Sequence, residues 1–183
     1  MKTYITSDLW LHFGHQRIKK FCPEARLRFS DEIDQMTEQM ISEWNAIVNP
    51  EDIVYILGDV AFLPANQAVN ILNRLNGTKI LIEGNHDRKS LKDPNFCECF
   101  SEIHKYYEIY YNDIFVVMFH YPIAEFNKMH RGAVHFHGHL HGSTSGLEHF
   151  RVRDMGMDAT GQIVMLMEDA IADALTGQIK DHH

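Results

Sequence analysis

The spacing of apolar residues along the chain predicts alternating strands and helices. Continuous apolar runs bounded by polar or glycine residues are typical of strands buried on both faces, and apolar residues repeating every three or four positions predict helices. On this basis we expect strands at residues 4–6, 53–57, 79–82, 114–119, 134–139 and 163–167, and helices at 30–48, 65–75 and 168–176. This alternation indicates an α/β fold.

Polar side chains that can bind metal ions follow five of the predicted strands, at the point where each strand ends. Ligands in open α/β sheets lie beyond the carboxyl ends of the strands, so we expect these side chains to converge at one edge. They are Asp8, Asp59, the run Asn85, His86 and Asp87, then His120, and finally His139 and His141. If residues 137–141 are extended, His139 and His141 face the same side.

The chemistry of this set favours a metal centre without cysteine. Carboxylate, imidazole and amide oxygen suit Mn, Fe, Zn, Ni or Co, and more donors are present than one tetrahedral ion needs. Two ions about 3.5–4 Å apart would use them all, and such a pair activates a bridging water for displacement at phosphorus. A single-metal hydrolase acting on another bond, such as an amide, is the less favoured reading of the same donors.

Composition sets further limits. The chain has 183 residues, which predicts one domain over residues 1–183. Its net charge of −8 argues against stable binding to nucleic acid. Three cysteines, Cys22, Cys97 and Cys99, do not form a disulfide framework. The polar N-terminus and the short apolar runs predict a cytoplasmic protein with no membrane partner.

Five segments carry a resemblance to a known family. Ser7-Asp8 with His12, Gly58-Asp59, Gly84-Asn85-His86-Asp87, His120, and Gly138-His139-Leu140-His141 occur in the order found in the calcineurin-like metallophosphoesterases. The sequence is most similar to their small bacterial and phage branch, and the similarity spans residues 8–141. The resemblance implies a four-layer α/β/β/α sandwich of two mixed sheets flanked by helices.

The resemblance also implies a role for each residue. Asp59 would bridge two divalent ions, with Mn favoured and Fe, Ni, Zn or Co as alternatives. One ion would bind Asp8, His12, Asp59 and His141, and the other Asp59, Asn85, His120 and His139. His86 would contact phosphate and protonate the leaving oxygen, Asp87 would orient His86, and Asn85 would also contact substrate.

The first motif departs from the family pattern. The family usually has Asp-x-His, whereas Asp8 and His12 are separated by Leu9, Trp10 and Leu11. The Phe13-Gly14-His15 that follows matches the family, which favours His12 as the ligand. The alternative is that the longer loop leaves Trp10 beside the metal and His12 outside it.

Other charged and imidazole side chains are assigned from their positions. Arg131 lies in a loop leading into a metal-binding strand and is the candidate for a further substrate contact. Arg26 and Arg28 are expected on the solvated surface. His135 and His137 are expected to be strand residues or to orient ligands, and Asp158 to return near the site.

The resulting hypothesis is a dinuclear-metal phosphoesterase that cleaves its substrate by attack of a metal-bridging hydroxide. A phosphodiester is favoured over a phosphomonoester, because the short chain leaves little room for a capping domain. The partner would be a small phosphoester, such as a nucleotide or a cyclic nucleotide. The alternative is a catalytically impaired scaffold of the same fold that acts through protein partners.

Overall fold

The computed structural model describes residues 1–11, 17–21 and 24–180. The described residues form strands β1 (Thr3–Thr6), β2 (Ile53–Ile56), β3 (Thr78–Ile82), β4 (Glu102–His104), β5 (Tyr106–Tyr111), β6 (Ile114–Phe119), β7 (Val134–His137), β8 (Val152–Asp154) and β9 (Met165–Leu166). The helices are α1 (Ile33–Ile47), α2 (Ala65–Leu72), α3 (Pro94–Cys97), α4 (Met157–Thr160) and α5 (Met167–Leu175).

The strands form two mixed sheets. The first has the order β4-β3-β2-β1-β9, in which β1 to β4 run parallel and β9 pairs antiparallel with β1. The second has the order β5-β6-β7-β8, in which a β5–β6 antiparallel pair continues into parallel pairs. With helices flanking these sheets, the predicted α/β sandwich is confirmed.

Two apolar clusters hold the layers together. Helix α1 buries Met36, Met40 and Trp44 in a cluster with one face of the first sheet. The second cluster joins the facing surfaces of the two sheets, where Ile5 and Phe136 are both fully buried. Helix α5 also buries apolar side chains there and contacts strands of both sheets. These apolar contacts therefore fix the two sheets to each other.

Several element boundaries differ from the predicted ones. Helix α1 begins at Ile33 rather than at residue 30, and β7 ends at His137, so His139 lies outside the strand. Strands β4, β5 and β8 and the short helix α3 were not predicted from the sequence. Strand β5 contains no fully buried residue, because it pairs only with β6 at the edge of its sheet. Its apolar pattern is correspondingly weak.

Among the described residues, no helix is both long enough and apolar enough to cross a bilayer. The single-domain organisation stays a prediction.

Strand β7 also carries a buried histidine that joins it to the segment after β6. His135 Nδ1 lies 3.1 Å from the Val117 carbonyl oxygen, and Nε2 accepts a hydrogen bond of 3.1 Å from the Ile123 backbone N–H. The Val117 carbonyl can only accept, so the proton belongs on Nδ1. Nε2 receives the Ile123 N–H and therefore carries no proton, although the Tyr121 carbonyl oxygen lies 3.3 Å away, so the ring is neutral. Burial lowers the pKa of His135 to about 3.

This histidine should make stability depend on pH. Below about pH 6.5 the unfolded chain binds a proton that the folded protein excludes, so stability falls as pH decreases. We expect His135→Phe to cost about 1–3 kcal/mol near neutral pH, because two backbone groups lose their partner. The difference from wild type should shrink by about 1 kcal/mol on moving from about pH 7.5 to about 5.5.

The measurement is urea unfolding of chelator-treated protein at both pH values. His149→Phe removes an exposed histidine and serves as the control. A His135→Phe variant with the same pH dependence as wild type would contradict the assignment.

Candidate metal centre

Two buried aspartates follow the central parallel strands of the first sheet. Asp8 and Asp59 are almost completely buried, and each has left-handed backbone geometry, with φ of 54° and 52°. The backbone N–H of Asp8 donates to the Gly58 carbonyl at 3.0 Å, which fixes the two loops side by side. Strained backbone of this kind concentrates at functional sites, and the geometry turns both carboxylates toward the same place.

The loop after β3 is tied to the loop after β2 by Asp87. Its carboxylate accepts hydrogen bonds from the backbone N–H groups of Asp59, Val60 and Gly84, at 2.9, 3.0 and 2.9 Å. The orientation of the His86 ring by Asp87 stays a prediction, because these hydrogen bonds of the Asp87 carboxylate go to backbone groups. Asp87 is buried against three backbone donors, whereas His86 is exposed. Asp87 positions the loops that carry Asp59 and Asn85.

Gly84 is required by this close approach. A Cβ at Gly84 would lie 2.4 Å from Asp59 Oδ1 and 2.5 Å from the Asp59 backbone nitrogen. Only glycine can bring the two loops this close.

His120 links the second sheet to the first. Together with Asp8 and Asp59 it forms a buried cluster in which one ligand atom from each residue lies within 4.8 Å of the others. His120 Nδ1 lies 2.7 Å from the Leu57 carbonyl oxygen, so Nδ1 carries the proton. The other nitrogen, Nε2, is then the atom available to the cluster.

That nitrogen faces oxygen atoms. His120 Nε2 lies 2.9 Å from Asn85 Oδ1 and 3.7 Å from Asp59 Oδ1. A neutral imidazole nitrogen, an amide oxygen and a carboxylate oxygen are all electron donors. A metal ion bound among them would hold these donors together.

The loop after β7 brings two more histidines. The His139 backbone N–H donates to Asp8 Oδ2 at 2.8 Å. His141 Nε2 lies 4.0 Å from Asp8 Oδ1. Gly138 allows the backbone of this loop to approach Asp8, because a Cβ at Gly138 would lie 2.3 Å from Asp8 Oδ2.

The route by which His139 and His141 reach the site differs from the predicted one. Both residues follow the end of β7 and have left-handed backbone, with φ of 73° and 50°. Turn geometry, not the alternation of an extended strand, brings them to the centre. Burial lowers the pKa of His139, which favours the neutral imidazole that a metal requires.

One oxygen of Asp8 tests whether a cation fits this centre. Asp8 Oδ1 is fully buried and has no hydrogen-bond partner among the described residues. Burial raises the pKa of Asp8 to about 6, against the opposing effect of His120 and His141. Unpaired buried carboxylate oxygens are costly, and a bound cation would remove the cost. The donor set and this orphaned oxygen therefore both fit a metal ion.

Arg26 is a component of the site that sequence reasoning missed. Predicted on the surface, it is instead completely buried. Its guanidinium donates to both carboxylate oxygens of Asp158, at 2.6 and 3.0 Å, and to the Asp8 backbone carbonyl at 2.7 Å. Asp158 Oδ2 lies 2.8 Å from His141 Nδ1, so the chain of contacts ends on a candidate ligand.

The charges of Arg26 and Asp158 balance each other in this series of contacts. Burial alone would raise the pKa of Asp158, but hydrogen bonds from His141 and Arg26 hold it below its ordinary value. The carboxylate therefore stays ionised and fixes the orientation of the His141 ring. Carboxylates commonly orient metal-binding imidazoles in this way.

Trp10 lies at the centre of the unusual first motif. Its ring is 4.7 Å from the His86 ring and 5.8 Å from the His141 ring, measured between centroids. It is only 5% exposed, and its Nε1 has no hydrogen-bond partner among the described residues. The expectation that Trp10 could lie beside the centre agrees with this placement.

The structure brings most of the predicted site residues together. Connected by the contacts above are Asp8, Asp59, Asn85, His86, Asp87, His120, His139 and His141. His12 lies outside the described residues, as do Phe13, Gly14 and His15. Arg131 lies in an exposed turn and donates from Nε to His130 Nε2 at 3.3 Å. None of the contacts described for Arg131 reaches the cluster.

The two histidines of β7 do not enter the cluster. His135 supports the segment after β6, and His137 Nδ1 lies 2.8 Å from the Gly138 carbonyl oxygen.

Fold and site together define an α/β sandwich protein with a candidate metal centre where the strands of both sheets end. An uncharacterized protein of Methanocaldococcus jannaschii, MJ1445, is 34% identical over 142 residues, which are 76% of this chain and 69% of that protein. The chain belongs to the same family as this archaeal protein.

Other comparisons are more limited. The gene 66 protein of Mycobacterium phage L5 is 33% identical over 88 residues, which are 46% of this chain and 39% of the phage protein. The crystal structure of a protein of unknown function from Aquifex aeolicus, AQ665, has a TM-score of 0.67 at 23% identity and supports the fold. It covers 92% of this chain and 96% of that chain.

Yfce, a phosphoesterase from E. coli, reaches a TM-score of 0.41 at 14% identity, covering 91% of this chain and 82% of that chain. A likeness this distant supports no conclusion about this chain. No family model matches the sequence.

The buried pair formed by Arg26 and Asp158 predicts unequal effects of two neighbouring arginines. Arg26→Met removes the cation from a buried ion pair and should cost about 3–5 kcal/mol of unfolding free energy. Arg28 pairs with Glu43 at the surface, so Arg28→Met should cost less than about 1 kcal/mol. Urea unfolding in chelator measures both.

The double variant Arg26→Met/Asp158→Leu should recover part of the loss, because both charges of the buried ion pair are removed together. Equal losses for Arg26→Met and Arg28→Met would rule out a buried ion pair.

Proposed function

We propose that this protein is a metal-dependent phosphoesterase that hydrolyses a phosphodiester or a phosphomonoester. The observation that carries the proposal is the meeting of metal-capable side chains from five separate loops, contributed by both sheets. They are Asp8, Asp59, Asn85, His120, His139 and His141. An assembly of oxygen and nitrogen donors this large fits two divalent ions better than one.

The donors would divide between two ions. Asn85, His120 and His139 would bind one of them; His120 Nε2 lies 2.9 Å from Asn85 Oδ1, and the His120 and His139 rings are 5.2 Å apart. Asp8 and His141 would bind the other ion, and His12 would complete that set. Asp59 would belong to both sets, as the bridging carboxylate. Mn is the favoured ion, with Fe, Ni, Zn and Co as alternatives for such ligands.

Bound ions would supply charge neutralisation at the phosphoryl oxygens and a water of lowered pKa. The chain itself supplies orientation and a proton donor. The His86 backbone N–H donates to Asp59 Oδ1 at 3.0 Å, which places its exposed imidazole at the rim of the centre. Packing against Trp10 limits the positions available to this ring. His86 is therefore assigned to contact the phosphate and protonate the leaving oxygen.

The substrate follows from the openness of the site. His86 is exposed, and no domain covers the centre within the described part of the chain. A small phosphodiester such as a nucleotide or a cyclic nucleotide is favoured on this ground.

A second candidate is a catalytically impaired scaffold that acts through protein partners. The observation that favours it is Trp10, which lies two residues after Asp8, where the resembling family carries a histidine ligand. Trp10 fills space between His86 and His141, and an indole ring cannot replace an imidazole as a ligand. Loss of one ion from the Asp8 side would be the consequence.

The test combines metal counting with turnover of a chromogenic phosphodiester, bis(p-nitrophenyl) phosphate. Metal-stripped protein should be inactive and should regain activity with Mn²⁺. Asp59→Asn should lose both bound metal and activity. His86→Ala should retain the metal while kcat falls by about 10²–10⁴-fold, the usual contribution of a positioned acid.

His149→Ala is the matched control, since it removes an exposed histidine outside the cluster. Bound metal without turnover of any phosphoester would favour the scaffold. Protein that binds no divalent ion would contradict both the centre and the proposal.

A further inference from the structure

An open pocket of about 330 Å³ lies directly beside the candidate metal centre. His86 forms part of its wall, and the remainder comes from the segment after β2 and from the turn that follows His86. We infer that this pocket binds the nucleobase of a nucleotide substrate, stacked on Phe62. The inference rests on the proposed function, whose substrate it would identify.

The first argument is the exposed aromatic ring. Phe62 is 39% exposed, although it lies next to the buried segment that contains Val60 and Ala61. One side of its ring stacks on Trp10, with centroids 5.5 Å apart and planes inclined by 21°. Since Trp10 is itself buried, it fixes the position of the Phe62 ring by packing against one of its faces. A fixed and partly exposed ring is a preorganised surface for stacking a planar group.

The second argument is position. The His86 ring lies 6.0 Å from the Phe62 ring in an edge-on arrangement, and 4.7 Å from Trp10. A planar group on Phe62 is thus next to the imidazole assigned to the phosphate. A phosphate and a ring that are joined through a sugar would occupy neighbouring parts of one continuous site.

The third argument is charge. The chain carries a net charge of −8, yet Lys89 lines this pocket and the Arg17 guanidinium lies 5.3 Å from the centre of the Phe62 ring. Both cations are exposed. An arginine that stacks on phenylalanine can stack equally on a base, because the guanidinium is planar and weakly hydrated. These cations suit an anionic ligand with an aromatic part.

A nucleobase is the group that satisfies all three observations. Stacking of a base on an aromatic side chain contributes about 1–3 kcal/mol and tolerates different bases. The pocket has the volume of a small-ligand site. An aliphatic phosphoester would make no stacking contact with Phe62 or with the Arg17 guanidinium.

The test uses adenosine and ribose as probes, with chelator-treated protein. Neither probe carries a phosphate, so binding does not depend on a metal or on turnover. NMR titration follows the indole N–H signals of Trp10 and Trp44. Trp44 is fully buried against helix α1's side of the first sheet, does not line the pocket, and serves as the internal reference. Adenosine should shift the Trp10 signal in a saturable manner, and ribose should not.

Phe62→Leu and Phe62→Tyr form the matched pair. Leucine keeps an apolar side chain but removes the ring, so adenosine should bind about tenfold more weakly. Tyrosine keeps the ring and should retain binding within about twofold of wild type. Thermal unfolding of each variant verifies that the fold is intact.

Saturable adenosine binding that is lost in Phe62→Leu and kept in Phe62→Tyr supports the pocket, even if no phosphoester is cleaved. No shift of the Trp10 signal at millimolar adenosine, or equal binding by all three proteins, overturns it. Phosphoesterase activity found together with either of those results would leave the proposed function standing without this pocket.

Discussion

The candidate centre depends on how the carboxylate of Asp8 is held. One oxygen accepts the His139 backbone N–H and thereby ties the first sheet to the second. The other oxygen is buried without a hydrogen-bond partner among the described residues. The backbone of the same residue is bonded to Gly58 on one side and to Arg26 on the other. A single side chain thus joins both sheets while keeping one oxygen available, which is the arrangement expected where a cation completes the structure.

Strain and buried charge accompany this arrangement. Asp8, Trp10, Asp59, His139 and His141 are five of the eight non-glycine residues with positive φ that the structure describes. Each such residue costs of the order of 1–3 kcal/mol, so the fold must over-determine these turns. The amide contacts of Asp87 and the buried pair of Arg26 with Asp158 provide that determination. These supporting groups contact backbone as well as side chains. They therefore hold the metal-binding side chains close together against the repulsion between them.

Strand endings made much of the centre predictable from the sequence. Continuous apolar runs located β2, β3 and β6, and the polar residues after them do converge. The sequence could not show which polar groups form hydrogen bonds and ion pairs with one another. Arg26 is separated by 132 positions from Asp158, and no local pattern distinguishes an arginine that will be buried from one that stays exposed. Asp87 likewise follows His86 directly, yet two of its three backbone partners, Asp59 and Val60, belong to the loop after β2. The predicted boundaries of strands and helices were wrong where tertiary contacts determine them, as at the end of β7.

Trp10 lies between the candidate metal centre and the neighbouring pocket. In the resembling family a histidine stands two residues after the first aspartate, and here an indole ring contacts both His86 and His141. Because an indole ring is not a metal ligand, the ligand assigned to this motif is His12, and Trp10 contributes a rigid apolar surface instead. The same ring packs against Phe62. Trp10 therefore contacts a candidate ligand, His141, as well as the two rings, Phe62 and His86, that line the pocket beside the centre.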